Sequence, residues 1–380
     1  MNLSPIYDRI VQSLSDKKQS NLFRKTANPF YGRLIDVSTN SYLSLHTNVE
    51  VADAARNLLD NRLYGNLASR IISSNSLLYD ELESEIASWE NTESALVFNS
   101  GYAANLGIIG SLCNRDTEIF SDKLNHASII DGIKLAGSKI NRYLHCDMTD
   151  LEKRLKASIQ KDKIIITDTV FSMDGDRAPL AEICELAGKY HCMVMVDEAH
   201  AIGIFGKTGS GLVEELGLED HVDIRMGTLS KAVAGFGGYF AGGQLMRDYF
   251  VNTSRSLIYS TGLPHGVLSH DLAAVRSIRK HPEMGKKLLE KSFGFNNAVR
   301  ELGFSTLNAT THIVPCIFGE EKAALSASEL FLKNGIKVPA IRPPTVPAHS
   351  ARLRFSLHVD LTDEMLESMI EILRTIKNGK

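Results

Sequence analysis

Short apolar runs alternate with longer amphipathic stretches through the middle of the chain. ALVF (95–98), EIF (118–120), KIIIT (163–167), CMVMV (192–196) and DIRMGT (223–228) read as buried strands. Several are almost wholly apolar, the pattern of parallel strands covered on both faces. Between them, helical spacing predicts helices at about 76–90, 102–113, 126–136, 150–159 and 180–190. This alternation predicts an α/β domain with a mostly parallel sheet. After Pro264 the pattern changes. Long amphipathic stretches near 267–281, 285–302, 323–334 and 361–377 enclose two short strands, HIVPCIF (312–318) and ARLRFSL (351–357). These predict a second, α+β domain. At the start, Ile6, Ile10, Val11 and Leu14 form one stripe of an amphipathic helix. A short strand pair then feeds the large domain. The expected organisation is a helical arm (1–45), an α/β domain (46–265) and a C-terminal α+β domain (266–380).

Composition narrows the function. The 380 residues carry 42 Lys+Arg against 45 Asp+Glu, a net charge of −3. A chain devoted to nucleic acid usually shows a basic excess, so nucleic-acid binding is not expected. No run reaches the roughly 18 apolar residues of a membrane span. The opening residues lack the basic-then-apolar order of a secretion signal, which points to a cytoplasmic protein. Cys113, Cys146, Cys184, Cys192 and Cys316 form no CxxC pair. Neither a disulfide framework nor a metal site is expected from that spacing.

The chemistry begins at VDEAHAIGIFGKTGSG (196–211). Asp197 closes a buried strand, where open α/β sheets bind ligands. The same stretch holds AIGIFGKT (201–208), one residue short of a phosphate loop because Ala201 replaces its first glycine. Such a loop runs directly from strand to helix. Here Asp197, Glu198 and His200 crowd the strand end, and GSG after it is a poor helix start, so a nucleotide-binding switch is rejected. In TLSKAVAGFGGYFAGG (228–243), Lys231 follows a buried strand. Desolvation there would lower its pKa and make it a nucleophile toward an aldehyde. A lysine for the aldehyde and an acid for a ring nitrogen are the two needs of pyridoxal phosphate. FNSGYAAN (98–105) supplies a helix start for a phosphate, and Thr228 a hydroxyl. His126, in DKLNHASIIDG (122–132), is placed to stack on a ring. His200 and Ser172, the latter in TVFSMDGDRAPLAE (169–182), are candidates for the phenolic oxygen.

Taken together, these motifs resemble the α-oxoamine synthases, a fold-type I pyridoxal phosphate family, over nearly the whole chain. AIRPPTVPAHSARLRFSL (340–357) is the most discriminating segment and resembles the biotin-pathway branch. The resemblance implies a large domain with a mostly parallel seven-stranded sheet flanked by helices, plus a smaller α+β domain. It implies pyridoxal 5′-phosphate bonded to Lys231, Asp197 at the pyridinium and His126 over the ring. It places His200 and Ser172 around the phenolic oxygen and Gly101, Tyr102 and Thr228 at cofactor-anchoring positions. Thr261, in IYSTGLP, is similar to a threonine that reaches a neighbouring subunit's phosphate, implying a homodimer with shared sites. Arg354 matches the grip on the amino acid carboxylate, and Asn40, in NSYLSL, lies near that substrate. Thr345 and Arg24 match positions touching the acyl group, with Arg24 the counter-charge for a far carboxylate. The implied reaction is a decarboxylative condensation of L-alanine with a pimeloyl thioester of CoA or acyl carrier protein.

The chain also departs from the family pattern. It has GNLASR (65–70) where relatives carry a Gly-rich stretch, SSNSLLYD (73–80) with Tyr79 where a histidine is frequent, and Asp168 for a glutamate. These changes bear on acyl specificity more than on the cofactor. The nearest alternative is a sibling enzyme, either condensing glycine with acetyl-CoA or making an aminoketone from a longer acyl thioester.

Overall fold

A computed structural model describes residues 4–24, 26, 34–60 and 65–379. In chain order the strands are β1 (Ile35–Asp36), β2 (Ser94–Phe98), β3 (Glu118–Asp122), β4 (Lys139–Tyr143), β5 (Lys163–Asp168), β6 (Met193–Asp197), β7 (Ile224–Thr228), β8 (Gly238–Gly242), β9 (Ile313–Gly319), β10 (Ile336–Lys337), β11 (Ala340–Ile341) and β12 (Ala351–Ser356). The helices begin with α1 (Pro5–Gln19), α2 (Val49–Asp60), α3 (Leu77–Trp89), α4 (Gly101–Leu112), α5 (Ala127–Ala136), α6 (Met148–Ala157) and α7 (Leu180–Tyr190). They continue with α8 (Leu212–Leu216), α9 (Gln244–Thr253), α10 (Arg255–Ile258), α11 (His265–Lys280), α12 (Glu283–Glu301), α13 (Glu321–Lys333) and α14 (Asp363–Asn378).

Seven strands form the main sheet in the order β2-β8-β7-β6-β5-β3-β4. β8 runs antiparallel to both its neighbours, and the other pairings are parallel. Side-chain alternation explains why these strands read as apolar throughout. Ile164 and Ile166 of β5, with Met195 of β6, pack into one core with Ile108, Ile109 and Ile133 of α4 and α5. Ile165, Val194 and Val196 point into the other core with Leu180 and Ile183 of α7. Each such residue is fully buried, worth about 1.5–3 kcal/mol apiece. A second sheet, β11-β12-β9, is antiparallel and lies in the C-terminal part. The expected mostly parallel, seven-stranded α/β architecture is therefore present.

Three features differ from the sequence reading. β8, GYFAG, was hidden in a Gly-rich stretch, although all five residues are buried. β4 is an edge strand with an exposed, polar face, so it lacks an apolar run. The short N-terminal strand pair is also corrected: β1 pairs in parallel with β10, and Val37 accepts a hydrogen bond from Ser356 N at 2.9 Å. The N-terminal segment thus joins the C-terminal sheet region, and its partner lies too far along the chain for local pattern to reveal. We propose the same division at 45/46 and 265/266, with α11, which packs on α2 and α3, tying the last part to the second.

Candidate active site

Parallel strands of one sheet end along one edge, so the loops after them converge. The ends of β2, β3, β5, β6 and β7 here enclose a cleft of about 260 Å³. It is lined by Gly101, Tyr102, His126, Asp197, His200, Thr228 and Lys231, seven of the residues singled out in the sequence.

At one end of the cleft, Ser100 caps α4 by accepting from Ala103 N at 3.0 Å. The N–H groups of Gly101 and Tyr102 precede that capped donor, at the positive end of the helix. A Cβ on Gly101 would meet Thr228 Oγ1 at 3.3 Å, so the missing side chain leaves a space between helix and hydroxyl. Thr228 Oγ1 lies 2.8 Å from Ser230 Oγ and donates to Gly237 O at 2.9 Å. Backbone N–H groups and hydroxyls without a carboxylate among them suit a phosphate.

At the other end sit Asp197 and Lys231. Asp197 is buried and accepts from Ala199 N at 2.9 Å through Oδ1 and from Asn105 Nδ2 at 2.8 Å through Oδ2. Lys231 Nζ lies 2.9 Å from His200 Nε2. Burial pulls the Lys231 ammonium down to about 8 against the opposing pull of Asp197 and Asp168, with Arg354 adding to the lowering. His200 is held well below the usual imidazole range, by burial first and then by Lys231 and Arg354. Its Nδ1 lies 2.6 Å from the Tyr42 hydroxyl, which donates to Asn40 Oδ1 at 3.0 Å. Because that hydroxyl has one proton, His200 carries its own proton on Nδ1 and presents Nε2 as an acceptor to Lys231.

Asn40 links the cleft to a second group of expected residues. Arg354, buried on β12, donates from Nη1 to Asn40 Oδ1 at 3.2 Å and from Nε to the Ser172 carbonyl at 2.5 Å. Ser172 thus meets Arg354 through its backbone and is not part of the cleft lining. Thr261 also stands outside the lining: its carbonyl accepts from Asn99 Nδ2 at 2.6 Å, and it bridges Ser69. Arg24 and Thr345, 321 positions apart, meet directly, with Arg24 Nη2 donating to Thr345 Oγ1 at 2.8 Å. They line a separate hollow of about 350 Å³ with Leu22, Ala340, Arg342 and Pro343.

Other residues at the site were given no role from the sequence. Asp168 accepts from His126 N at 2.7 Å, and Asn105, Ser128 and Tyr42 hold the groups that face the cleft. Asn105 and Ser128 are polar positions on otherwise apolar faces of buried helices, the one local sign that marked them. Tyr79 is structural: its hydroxyl accepts from Leu263 N at 2.6 Å and its ring lies under the Arg70 guanidinium. The near-miss phosphate loop is closed by protein, since the Glu214 carboxylate accepts from Thr208 N at 3.0 Å and Ser210 N at 3.3 Å. A nucleotide phosphate would meet that negative charge.

Comparison with known proteins decides the family. The model of the aminotransferase class I and II family matches residues 33–373. The chain belongs to this family. A Bacillus cereus protein named "Putative 8-amino-7-oxononanoate synthase" is 46% identical over 330 residues, 86% of this chain and 83% of its own. A protein of the same name from Halalkalibacterium halodurans is 42% identical over 339 residues, covering 89% and 86%. Among solved structures, a serine palmitoyltransferase from S. paucimobilis holding PLP superposes with TM-score 0.92 at 27% identity, covering 100% of this chain and 99% of that one. The 8-amino-7-oxononanoate synthase of Francisella tularensis gives TM-score 0.80 at 27% identity, covering 91% and 98%. The class I and II aminotransferase fold, the α-oxoamine synthase relatives and the cleft agree: the protein is a pyridoxal 5′-phosphate-dependent acyltransferase. Among the described residues no helix is long and apolar enough to cross a membrane.

Proposed function

We propose that the protein condenses L-alanine with a pimeloyl thioester, of CoA or acyl carrier protein, to give 8-amino-7-oxononanoate for biotin synthesis in the cytoplasm. The Cα of alanine bonds to the acyl carbonyl carbon, the thiol leaves, and the alanine carboxyl departs as CO2. Pyridoxal 5′-phosphate, when bound, supplies an aldehyde for the amine and an electron-accepting ring. The α4 N-terminus with Gly101, Tyr102 and Thr228 holds the phosphate. Asp197, aimed by Asn105 and Ala199 N, would hold a proton at the ring nitrogen, and His126 would be the residue to stack on the ring. Lys231, neutral in a useful fraction because its pKa lies near 8, takes the Cα proton. Arg354 orients the alanine carboxylate with Asn40, and Ser172 fixes Arg354 through its carbonyl. Thr261 reaches the partner's phosphate in a homodimer.

One observation carries the choice of acyl group. Arg24 and Arg342 share the hollow beside Thr345, and the Arg342 guanidinium is pressed below its ordinary range by burial and then by Arg24. Two like charges set together favour an anion between them, and the far carboxylate of pimelate is one. The Arg24→Ala variant tests this through the Michaelis constants for pimeloyl and octanoyl thioesters. A rise of about 10- to 100-fold confined to pimeloyl is expected. Equal change for both substrates refutes the charge pairing. A preference for the uncharged acyl group in the unmodified protein moves it to a long-acyl sibling, the reading that the serine palmitoyltransferase neighbours favour.

A further inference from the structure

Four side chains in the cleft wall form one hydrogen-bonded row: Asp197 Oδ2, Asn105 Nδ2, Ser128 Oγ and His126 Nδ1. The successive separations are 2.8, 2.9 and 2.7 Å. Asn105 and Ser128 are fully buried. The proton positions along the row follow from donor and acceptor chemistry alone. An ionised carboxylate only accepts, so the amide must present Nδ2 to Asp197. The second Nδ2 hydrogen goes to Ser128 Oγ. That oxygen, already accepting, has its own proton left to give, and the neighbouring acceptor is His126 Nδ1. A second donor also points at Nδ1. His126 is the N-cap of α5 and accepts from Ser128 N at 3.3 Å. Two donors converge on one ring nitrogen, so that nitrogen carries no hydrogen.

We propose that Asn105 and Ser128 are positioning residues that lock His126 in the neutral tautomer with its proton on Nε2, while the same amide fixes the Asp197 carboxylate. His126 then offers the cleft an N–H donor and no basic nitrogen. It can hydrogen-bond a substrate carboxylate or the oxygen of a thioester carbonyl as negative charge develops there, but it cannot take a proton from Cα. Proton removal is left to Lys231. The surroundings act in the same direction. The positive end of α5 disfavours an imidazolium at its N-cap. Burial lowers the His126 pKa first, Lys231 adds to the lowering, and Asp197 and Asp131 oppose it. Asp168 faces the backbone N–H of His126 rather than its ring. The amide orientation leaves Asn105 Oδ1 buried without a partner, a cost explained by Nδ2 giving one hydrogen to Asp197 and the other to Ser128.

The inference rests on the reading of His126 and Asp197 as cofactor-facing groups, but its first test does not need the cofactor. Protein labelled with ring-15N histidine is measured by proton–nitrogen correlation NMR in the apo form, with His126 assigned by loss of its signals in His126→Gln. The expected spectrum shows a protonated Nε2 and a bare Nδ1 that persist from pH 6 to pH 9. A proton on Nδ1, or an imidazolium at pH 7, overturns the proposal whatever the enzyme's substrate proves to be. Ser128→Ala is expected to shift His126 toward mixed tautomers, and Ser128→Thr, which keeps the hydroxyl, to restore the single form. In the holoenzyme, Asn105→Ala and Ser128→Ala should each lower kcat by about 10- to 100-fold with little change in the KM for the amino acid. The double variant should be little worse than either alone. Additive losses, or unchanged His126 signals in Ser128→Ala, overturn it.

Discussion

Gly238→Ala is the sharpest probe of how the cofactor phosphate is held. Gly238 opens β8, and its backbone backs the turn from Ser100 to Gly101. A Cβ there would stand 2.5 Å from Gly101 Cα, 2.6 Å from Gly101 N and 2.8 Å from the Ser100 carbonyl carbon. Ordinary contacts between carbons fall at about 3.5–4.0 Å, so the turn must retreat by roughly 1 Å. All three atoms are backbone, and no side-chain rotation relieves the clash. Overpacking of this kind costs about 1–3 kcal/mol of stability. The displacement falls on the Gly101 N–H at the start of α4. Losing one charge-assisted hydrogen bond to an anion costs about 1.5–3 kcal/mol, or roughly 10- to 100-fold in Kd. The assay is titration of the apo protein with pyridoxal 5′-phosphate, followed by visible absorbance, with Tm measured beside it. Gly188→Ala is the control: it lies on α7 with nothing within 4 Å of its Cβ position, and its Kd should be unchanged. A Gly238→Ala protein that melts lower yet binds the cofactor as tightly as the parent would refute the α4 cradle.

Lys231→Ala should keep the fold and the noncovalent cofactor sites while losing turnover; a circular dichroism spectrum and a product assay check both, and full activity would remove Lys231 from the mechanism. In the apo protein, the reaction of Lys231 with a carbonyl reagent should reach half its limiting rate near pH 8, because burial lowers its pKa from the ordinary 10.5. A midpoint above pH 10 contradicts the desolvated lysine. Asp271, fully buried, accepts from Phe236 N at 3.3 Å in the loop after Lys231, and burial raises its carboxyl to about 7. Its folded pKa exceeds the ordinary 3.8, so its contribution to stability is full below that pH and is lost as pH rises through 7. Asp271→Asn should therefore gain in Tm over the parent from about pH 4 to about pH 7 and level off above that; a constant difference across that range would show that Asp271 does not titrate there.

The apolar runs at 95–98, 163–167 and 192–196 were legible because strands buried on both faces need apolar side chains at every position. Asp197, His126 and Lys231 were legible for a related reason. They stand just after such runs, and the ends of parallel strands share one edge of the sheet. Each of these signals is contained in a few neighbouring residues. β8 was not legible, since its two glycines have no side chain to reveal a pattern and one of them is needed for close approach to the Ser100 turn. The β1–β10 pairing and the contact between Arg24 and Thr345 join opposite ends of the chain, and a hydrogen bond leaves no mark on the residues between its partners. The clearest division lies at Asn105. Its neighbours on α4 report only a polar residue on an apolar helix. Its role depends on the packing of α4 against α5 and on the end of β6, which together bring Ser128 and Asp197 within 2.9 Å of one amide nitrogen. Local sequence determined which residues stood at the strand ends. Only the folded arrangement decided which hydrogens point where, because donor and acceptor geometry is set by three separate elements at once.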